Sequence, residues 1–120
     1  MMKWTIREHV RFRDCDAMGP VNNAVYSTYL EQARLAIMGG LGEMILARVE
    51  IDFRAELRAG EEVEVRSRCS RIGTKSFDLE HELFAGDRLV AEAKSVLVGY
   101  DYRTGRSVPL TDDQRRRLSE

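Results

Sequence analysis

What this 120-residue chain lacks already narrows its function. No apolar run approaches the roughly 20 residues needed to span a bilayer. The opening stretch, MMKWTIREHVRF, alternates from its start and holds no apolar signal core, so neither a membrane partner nor export is expected. An excess of one charge is also missing. Nineteen basic and twenty acidic side chains leave a net −1, which argues against a nucleic-acid partner. Cysteine is scarce: Cys15 and Cys69 stand alone without metal-type spacing, and predict free thiols in a reducing, cytoplasmic setting. The two histidines, His9 and His81, fall on predicted strands, where a satisfied core or interface role is expected and a metal site has no support. There is no internal repeat, linker or low-complexity segment. With 43% hydrophobic and 32% charged residues, the chain reads as one globular domain, 1–120, built on a single core.

The pattern that is present has two periods. Residues 3–13 alternate, with Trp4, Ile6, Val10 and Phe12 on one face and Lys3, Thr5, Arg7, Arg11 and Arg13 on the other; Glu8 is the misfit. That predicts a half-buried strand. DCDAMGPVNN follows, dense in turn formers. From about Asn23 the period becomes helical, with Tyr26, Leu30, Ala33 and Ile37 on one stripe widened by Val25, Tyr29 and Ala36. Asn22 or Asn23 can cap its start and Gly39-Gly40 can end it. Some 15 residues at 1.5 Å each make a rod of about 22 Å, apolar over most of its circumference and so largely enclosed.

The remainder alternates again. Residues 47–58 show the cleanest pattern, with Ala47, Val49, Ile51, Phe53, Ala55 and Leu57 on one side and charges between them, which predicts a long strand with one wet face. Strands over 63–72, from Phe77, and through the RLVAEAKSVLVGYDY stretch are separated by turns at 59–62, 73–76 and 85–87. In the last strand Glu92 and Lys94 share a parity with Val96, Val98 and Tyr100, so one face turns from wet to dry, as if a second protein surface covered it. Thr111 and Gln114 form a capping box for a short terminal helix, DDQRRRL. Consecutive strands joined by short turns are antiparallel neighbours, and only the long helix is available to cover their dry face. The expected fold is α+β, a five-stranded antiparallel sheet wrapped around one long central helix.

The chemistry centres on residues 10–38, where Asp14 and Asp16 lie in the loop that enters the helix. A carboxylate beside a helix N-terminus supplies a base or nucleophile, while free backbone N–H groups can hold a developing negative charge. Aspartate is equally an ordinary turn residue in such a loop.

The element order, with DCDAMGPVNNAVYSTYLEQAR at the strand–helix junction, resembles the hot-dog fold. Within it the chain resembles acyl-CoA thioesterases of the 4-hydroxybenzoyl-CoA thioesterase type. The likeness covers essentially the whole chain and rests on D-x-D-x-x-G-x-V-N-N followed by Glu31, Ala33 and Arg34. It implies that Asp16 is the catalytic carboxylate and that the backbone N–H near Asn23 polarises the thioester carbonyl. It also implies edge-to-edge homodimers, often assembled as dimers of dimers into tetramers, with active sites at the dimer interface. Many relatives carry His where this chain has Pro20, although the 4-hydroxybenzoyl-CoA enzymes also lack it.

Thiolate leaves readily, so Asp16 can attack the thioester or deprotonate water without a strong acid, a metal or a bound cofactor. Asp14 is expected to position the loop. Asn22 and Tyr26 are candidates for substrate contact, Asn22 also as a cap and Tyr26 also as a core aromatic. Arg71, Lys75 and Ser76 are candidates for the coenzyme A phosphates, because the corresponding turn in relatives lies near the ligand. Cys15 is expected to be a small half-buried residue and Glu31 to pair with Arg34. The expected activity is hydrolysis of an acyl-CoA to free acid and CoA. The alternatives are an acyl-carrier-protein substrate, a hot-dog hydratase (disfavoured by the missing His), and a non-catalytic module that binds acyl thioesters.

Overall fold

The computed structural model describes residues 2–119. Strand β1 (Trp4–His9) leads through a 3-10 turn (Phe12–Asp14) to helix α1 (Val25–Met38). Strands β2 (Met44–Phe53), β3 (Glu62–Ile72), β4 (Ser76–Ala85) and β5 (Arg88–Asp101) follow, then the two-residue β6 (Arg106–Ser107) and helix α2 (Asp112–Ser119). The long strands pair antiparallel in the order β1-β3-β4-β5-β2, with β6 appended to the end of β5. This is the expected antiparallel sheet with the long helix against one face.

Alternation in β3, β4 and β5 places Val63, Val65, Leu79, Leu83, Ala91 and Leu97 on the helix side. They meet α1 in two clusters. Tyr26, Leu30, Leu57, Val63 and Leu83 pack at its N-terminal half; Ile37, Met38, Phe77, Leu79 and Leu97 pack at its C-terminal half. The second cluster has a further cover. Leu110 and Leu118, the latter on α2, close the far end of the core. The capping box forms as expected, with Gln114 N–H donating to Thr111 Oγ1 at 3.1 Å and Thr111 N–H to Gln114 Oε1 at 2.8 Å. Gly39, at φ +71°, ends α1 and donates to Leu35 O at 2.8 Å.

Several expectations are corrected. The first strand stops at His9, so Phe12 does not share the dry face of Trp4 and Ile6; it sits on the 3-10 turn and is 88% exposed. Helix α1 begins at Val25, with Ala24 at its cap and no side-chain cap on its first turn. Strand β2 spans Met44–Phe53 rather than 47–58, with a bulge between Leu46 and Arg48. It is an edge strand, and its dry face is not dry within one chain. Leu46, Val49 and Phe53 lie opposite Leu97, Ser95 and Ala91 on the helix side, yet remain partly exposed, Phe53 even with the Tyr26 ring of α1 against it. Nor does Glu31 pair with Arg34. The Arg34 side chain turns inward and donates to Ser95 Oγ at 3.2 Å.

Beneath α1 a buried polar row crosses three strands. His81 bonds through Nδ1 to Ser67 Oγ at 2.7 Å and through Nε2 to Ser95 Oγ at 3.0 Å. It is thus a satisfied core histidine. Among the described residues no helix is long and apolar enough to cross a membrane.

Candidate active site

The DCDAMGPVNN stretch folds into a small hairpin. Asp16 N–H donates to Pro20 O at 2.9 Å and Asn22 N–H to Asp14 O at 2.9 Å, so Cys15 lies opposite Val21. Gly19 N–H closes the turn on Asp16 O at 3.1 Å; its φ of +103° lies in the region that favours glycine. Pro20 contributes its carbonyl to this ladder, a role that needs no N–H. Val21 N–H then ties the hairpin to Leu57 O at 2.7 Å. The Asp16 carboxylate is oriented from within its own turn, Oδ1 accepting Met18 N–H at 2.8 Å.

Asp14 faces the opposite way, into the protein. Its Oδ2 accepts the Tyr29 hydroxyl at 2.8 Å and the Arg11 N–H at 3.0 Å. Burial alone would raise its pKa, but these two hydrogen bonds and the charges of Arg11 and Arg13 outweigh it and hold the carboxyl below its usual range. Burial, and then the bond to Asp14, pushes the Tyr29 phenol up.

At the entry to α1, Asn22 Oδ1 accepts Ala24 N–H at 3.0 Å and Asn22 O accepts Val25 N–H at 2.9 Å. Tyr26 N–H turns to Asn23 O at 3.3 Å. The Asn23 N–H alone in this run has no hydrogen-bond acceptor among the described residues. Asn22 therefore closes a side-chain turn on Ala24 N–H ahead of the helix and does not cap the first turn of α1 itself.

Asp16, Asn22, Asn23 and Tyr26 border one open cavity of about 490 Å³. Its apolar wall is Tyr26 with Phe53, whose rings meet edge-on with centroids 5.0 Å apart. Phe53 is 44% exposed at the end of the edge strand. It was missed as a site residue because strict alternation placed it on a covered face. A cavity of about 450 Å³ also lies at the opposite end, beside Tyr100 and Tyr102, and is bordered by Thr111 and Gln114, the two partners of the α2 capping box. The first cavity combines the Asp16 carboxylate with the Asn23 N–H, unpaired among the described residues, at the entry to α1.

The other candidates lie elsewhere. Ser76 pairs with Val98, which pairs with Ile45 near the start of β2, whereas the cavity lies at Phe53 near its end. Eight residues of strand separate the two by roughly 26 Å. Arg71, moreover, is engaged with Ser76 Oγ and Asp78 Oδ1, both at 2.8 Å. One chain thus brings Asp16, Asn22, Asn23 and Tyr26 together and leaves Arg71, Lys75 and Ser76 apart from them. Cys15 is half-buried and free, and Glu31 is exposed on the helix. Among the described residues no group of three or more His, Cys, Asp or Glu is gathered as a metal site.

A family model for the thioesterase-like superfamily matches residues 10–118. The chain belongs to that superfamily. It is 33% identical to a thioesterase from Thermus thermophilus crystallised with coenzyme A and Zn, covering 100% of both chains at a TM-score of 0.90. A predicted thioesterase from Bacillus stearothermophilus is 27% identical, covering 97% of this chain and 93% of that one, also at a TM-score of 0.90. The chloroplastic acyl-acyl carrier protein thioesterase ATL3 of Arabidopsis thaliana is 26% identical over 77% of this chain, which spans 55% of that protein. Thioester hydrolysis is the chemistry that the family and these relatives support, on a hot-dog fold.

Proposed function

We propose that this thioesterase hydrolyses an acyl-CoA to the free acid and CoA, in the manner of the 4-hydroxybenzoyl-CoA thioesterase type. The observation that carries this reading is the Asn23 N–H left without an acceptor beside Asp16, on a cavity with a Tyr26–Phe53 wall. A thioester carbonyl directed at Asn23 N–H gains a donor where the oxyanion develops. Asp16 either adds to that carbon, giving an anhydride that water then cleaves, or removes a proton from the attacking water. In both routes the C–S bond breaks and thiolate leaves, which requires no metal or bound cofactor. Tyr26 and Phe53 take the acyl group, and Asn22 shapes the entry.

Self-association completes the site. Strand β2 offers a free backbone edge together with exposed Leu46, Val49 and Phe53 on the helix side. A second copy paired antiparallel about a two-fold axis normal to the sheet joins these apolar surfaces on one side. Parallel pairing would set the apolar face of one copy beside the wet face of the other. Antiparallel pairing also carries the partner subunit's Met44 end, and with it the turn holding the partner subunit's Arg71, Lys75 and Ser76, toward the Phe53 end where Asp16 lies. That turn then serves the phosphates of coenzyme A. The outward-facing Val96, Val98 and Tyr100 suit a further pairing into tetramers, and the two free thiols suit a cytoplasmic setting.

The test is a panel of acyl-CoAs with a thiol-detecting readout. Asp16→Asn and Asp16→Ala should abolish thiol release while the oligomer stays folded; full activity in both removes the mechanism. The relation to the Arabidopsis protein favours a second reading, an acyl-carrier-protein substrate, which a flat acyl-CoA panel together with release from acylated carrier protein would establish. Tight acyl-CoA binding with no release from either would indicate a binding module.

A further inference from the structure

Two hydrogen bonds on one oxygen connect the floor of the protein to the reacting groups. Asp14 Oδ2 receives the hydroxyl of Tyr29, one turn into α1, and the backbone N–H of Arg11, at the mouth of the loop. The main-chain carbonyl of the same residue receives Asn22 N–H, on the return arm of the hairpin. Asp14 therefore joins three segments: the chain leaving β1, the helix, and the residue immediately before Asn23. Asp16 lies two residues further along the first arm, held across the hairpin by its N–H to Pro20 O.

We propose that Asp14 and Tyr29 are a positioning pair that sets the Asp16 carboxylate and the Asn23 N–H relative to each other, neither residue touching substrate. The inference rests on the proposed roles of Asp16 and Asn23. Its physical basis is that the hairpin's other hydrogen bonds are local or lead away from the helix, while Val21 and Cys15 meet α1 only through non-directional apolar packing. The turn bonds within 16–20 hold its shape, and Val21 N–H fixes it to Leu57. Among the described residues, only the Tyr29–Asp14 hydrogen bond joins a hairpin side chain to a side chain of α1. Without it the first arm can shift against the helix while the cavity wall of Tyr26 and Phe53 remains. A misplacement of about 1 Å in a catalytic group can cost up to about a hundredfold in rate without weakening ground-state binding.

Because both bonds fall on one oxygen, an amide can replace the carboxylate: the Asn carbonyl accepts the same two donors. The experiment is steady-state kinetics on the full oligomer of Tyr29→Phe, Asp14→Ala, Asp14→Asn and the double variant Asp14→Ala/Tyr29→Phe. The expected result is a fall in kcat of about ten- to a hundredfold for Tyr29→Phe and Asp14→Ala with KM within about threefold of the parent. The double variant should be no worse than Asp14→Ala, since both remove one link, and Asp14→Asn should recover most of kcat. Three results would overturn the proposal: parental kcat in Tyr29→Phe, losses that multiply in the double variant, or Asp14→Asn as inactive as Asp14→Ala. The last would mean that the Asp14 charge itself acts. Should Asp14→Ala not fold, Tyr29→Phe and Asp14→Asn decide alone. An active Asp16→Asn would instead remove the proposed function, a failure visible separately from these.

Discussion

Arg34 donates from Nη1 to Ser95 Oγ at 3.2 Å beneath α1, and among the described residues it has no carboxylate partner. Its Nε is buried with no acceptor at all. Burial lowers the guanidinium pKa, with Glu31 acting weakly against it. A cation held by one neutral hydroxyl depends heavily on that hydroxyl. Ser95→Ala should therefore destabilise the protein by about 1–3 kcal/mol, the cost of leaving a buried donor unmet. Arg34→Met, which removes the charge and keeps the stem, should cost less. Urea denaturation of the three proteins at one pH checks the order.

The same row makes a pH prediction. Arg34 can only donate, so the Ser95 proton is free to go to His81 Nε2, leaving Nδ1–H to donate to Ser67. This arrangement needs a neutral imidazole. Burial, reinforced by the Arg34 charge, lowers the His81 pKa from 6.5 to about 4. The folded state then binds fewer protons than the unfolded state across that interval. Stability is fully present above pH 6.5 and is lost as pH falls through 6.5 toward 4, by roughly 3 kcal/mol in total. Denaturant titrations of the parent at pH 7.5, 6 and 4.5 should show the decline, and His81→Gln should flatten it over that window.

Gly19 bears on the hairpin rather than the core. At φ +103° an added Cβ is strained and would sit 2.9 Å from Arg58 Nη1. Gly19→Ala should cost about 1–3 kcal/mol and lower kcat, because the turn that aims Asp16 must open. Thermal melts and thiol-release kinetics on one preparation measure both effects.

The edge strand gives the fourth prediction. Val49, opposite Ser95 on the helix side of β2, is exposed in one chain. Val49→Lys puts a charge into the joined apolar surface of a β2-paired dimer, and should shift sedimentation or size-exclusion profiles toward monomer with loss of hydrolysis. A parent that is monomeric at every concentration would remove the paired-edge reading.

The strands were legible because side-chain alternation is local: 63–72 and the run from Phe77 appear nearly where the pattern puts them. The α2 capping box was legible for the same reason, both partners lying within three residues. Asp16, Asn22, Asn23 and Tyr26 could be gathered from sequence because eleven residues of continuous chain hold them. Phe53 could not, since its contact with Tyr26 depends on β2 standing at the sheet edge beside α1. Arg71, Lys75 and Ser76 lie far from Asp16 within one chain, a separation set by strand register that a single sequence does not show.

The amino-acid sequence by itself determined the elements, their antiparallel succession and the loop that presents two aspartates to a helix entry, all consequences of period and short-range hydrogen bonding. Only the tertiary structure decided which aspartate faces the cavity. Asp14 is drawn inward because Tyr29, fifteen residues away, offers it a buried donor; Asp16, with only its own turn to satisfy it, is left facing out beside Asn23.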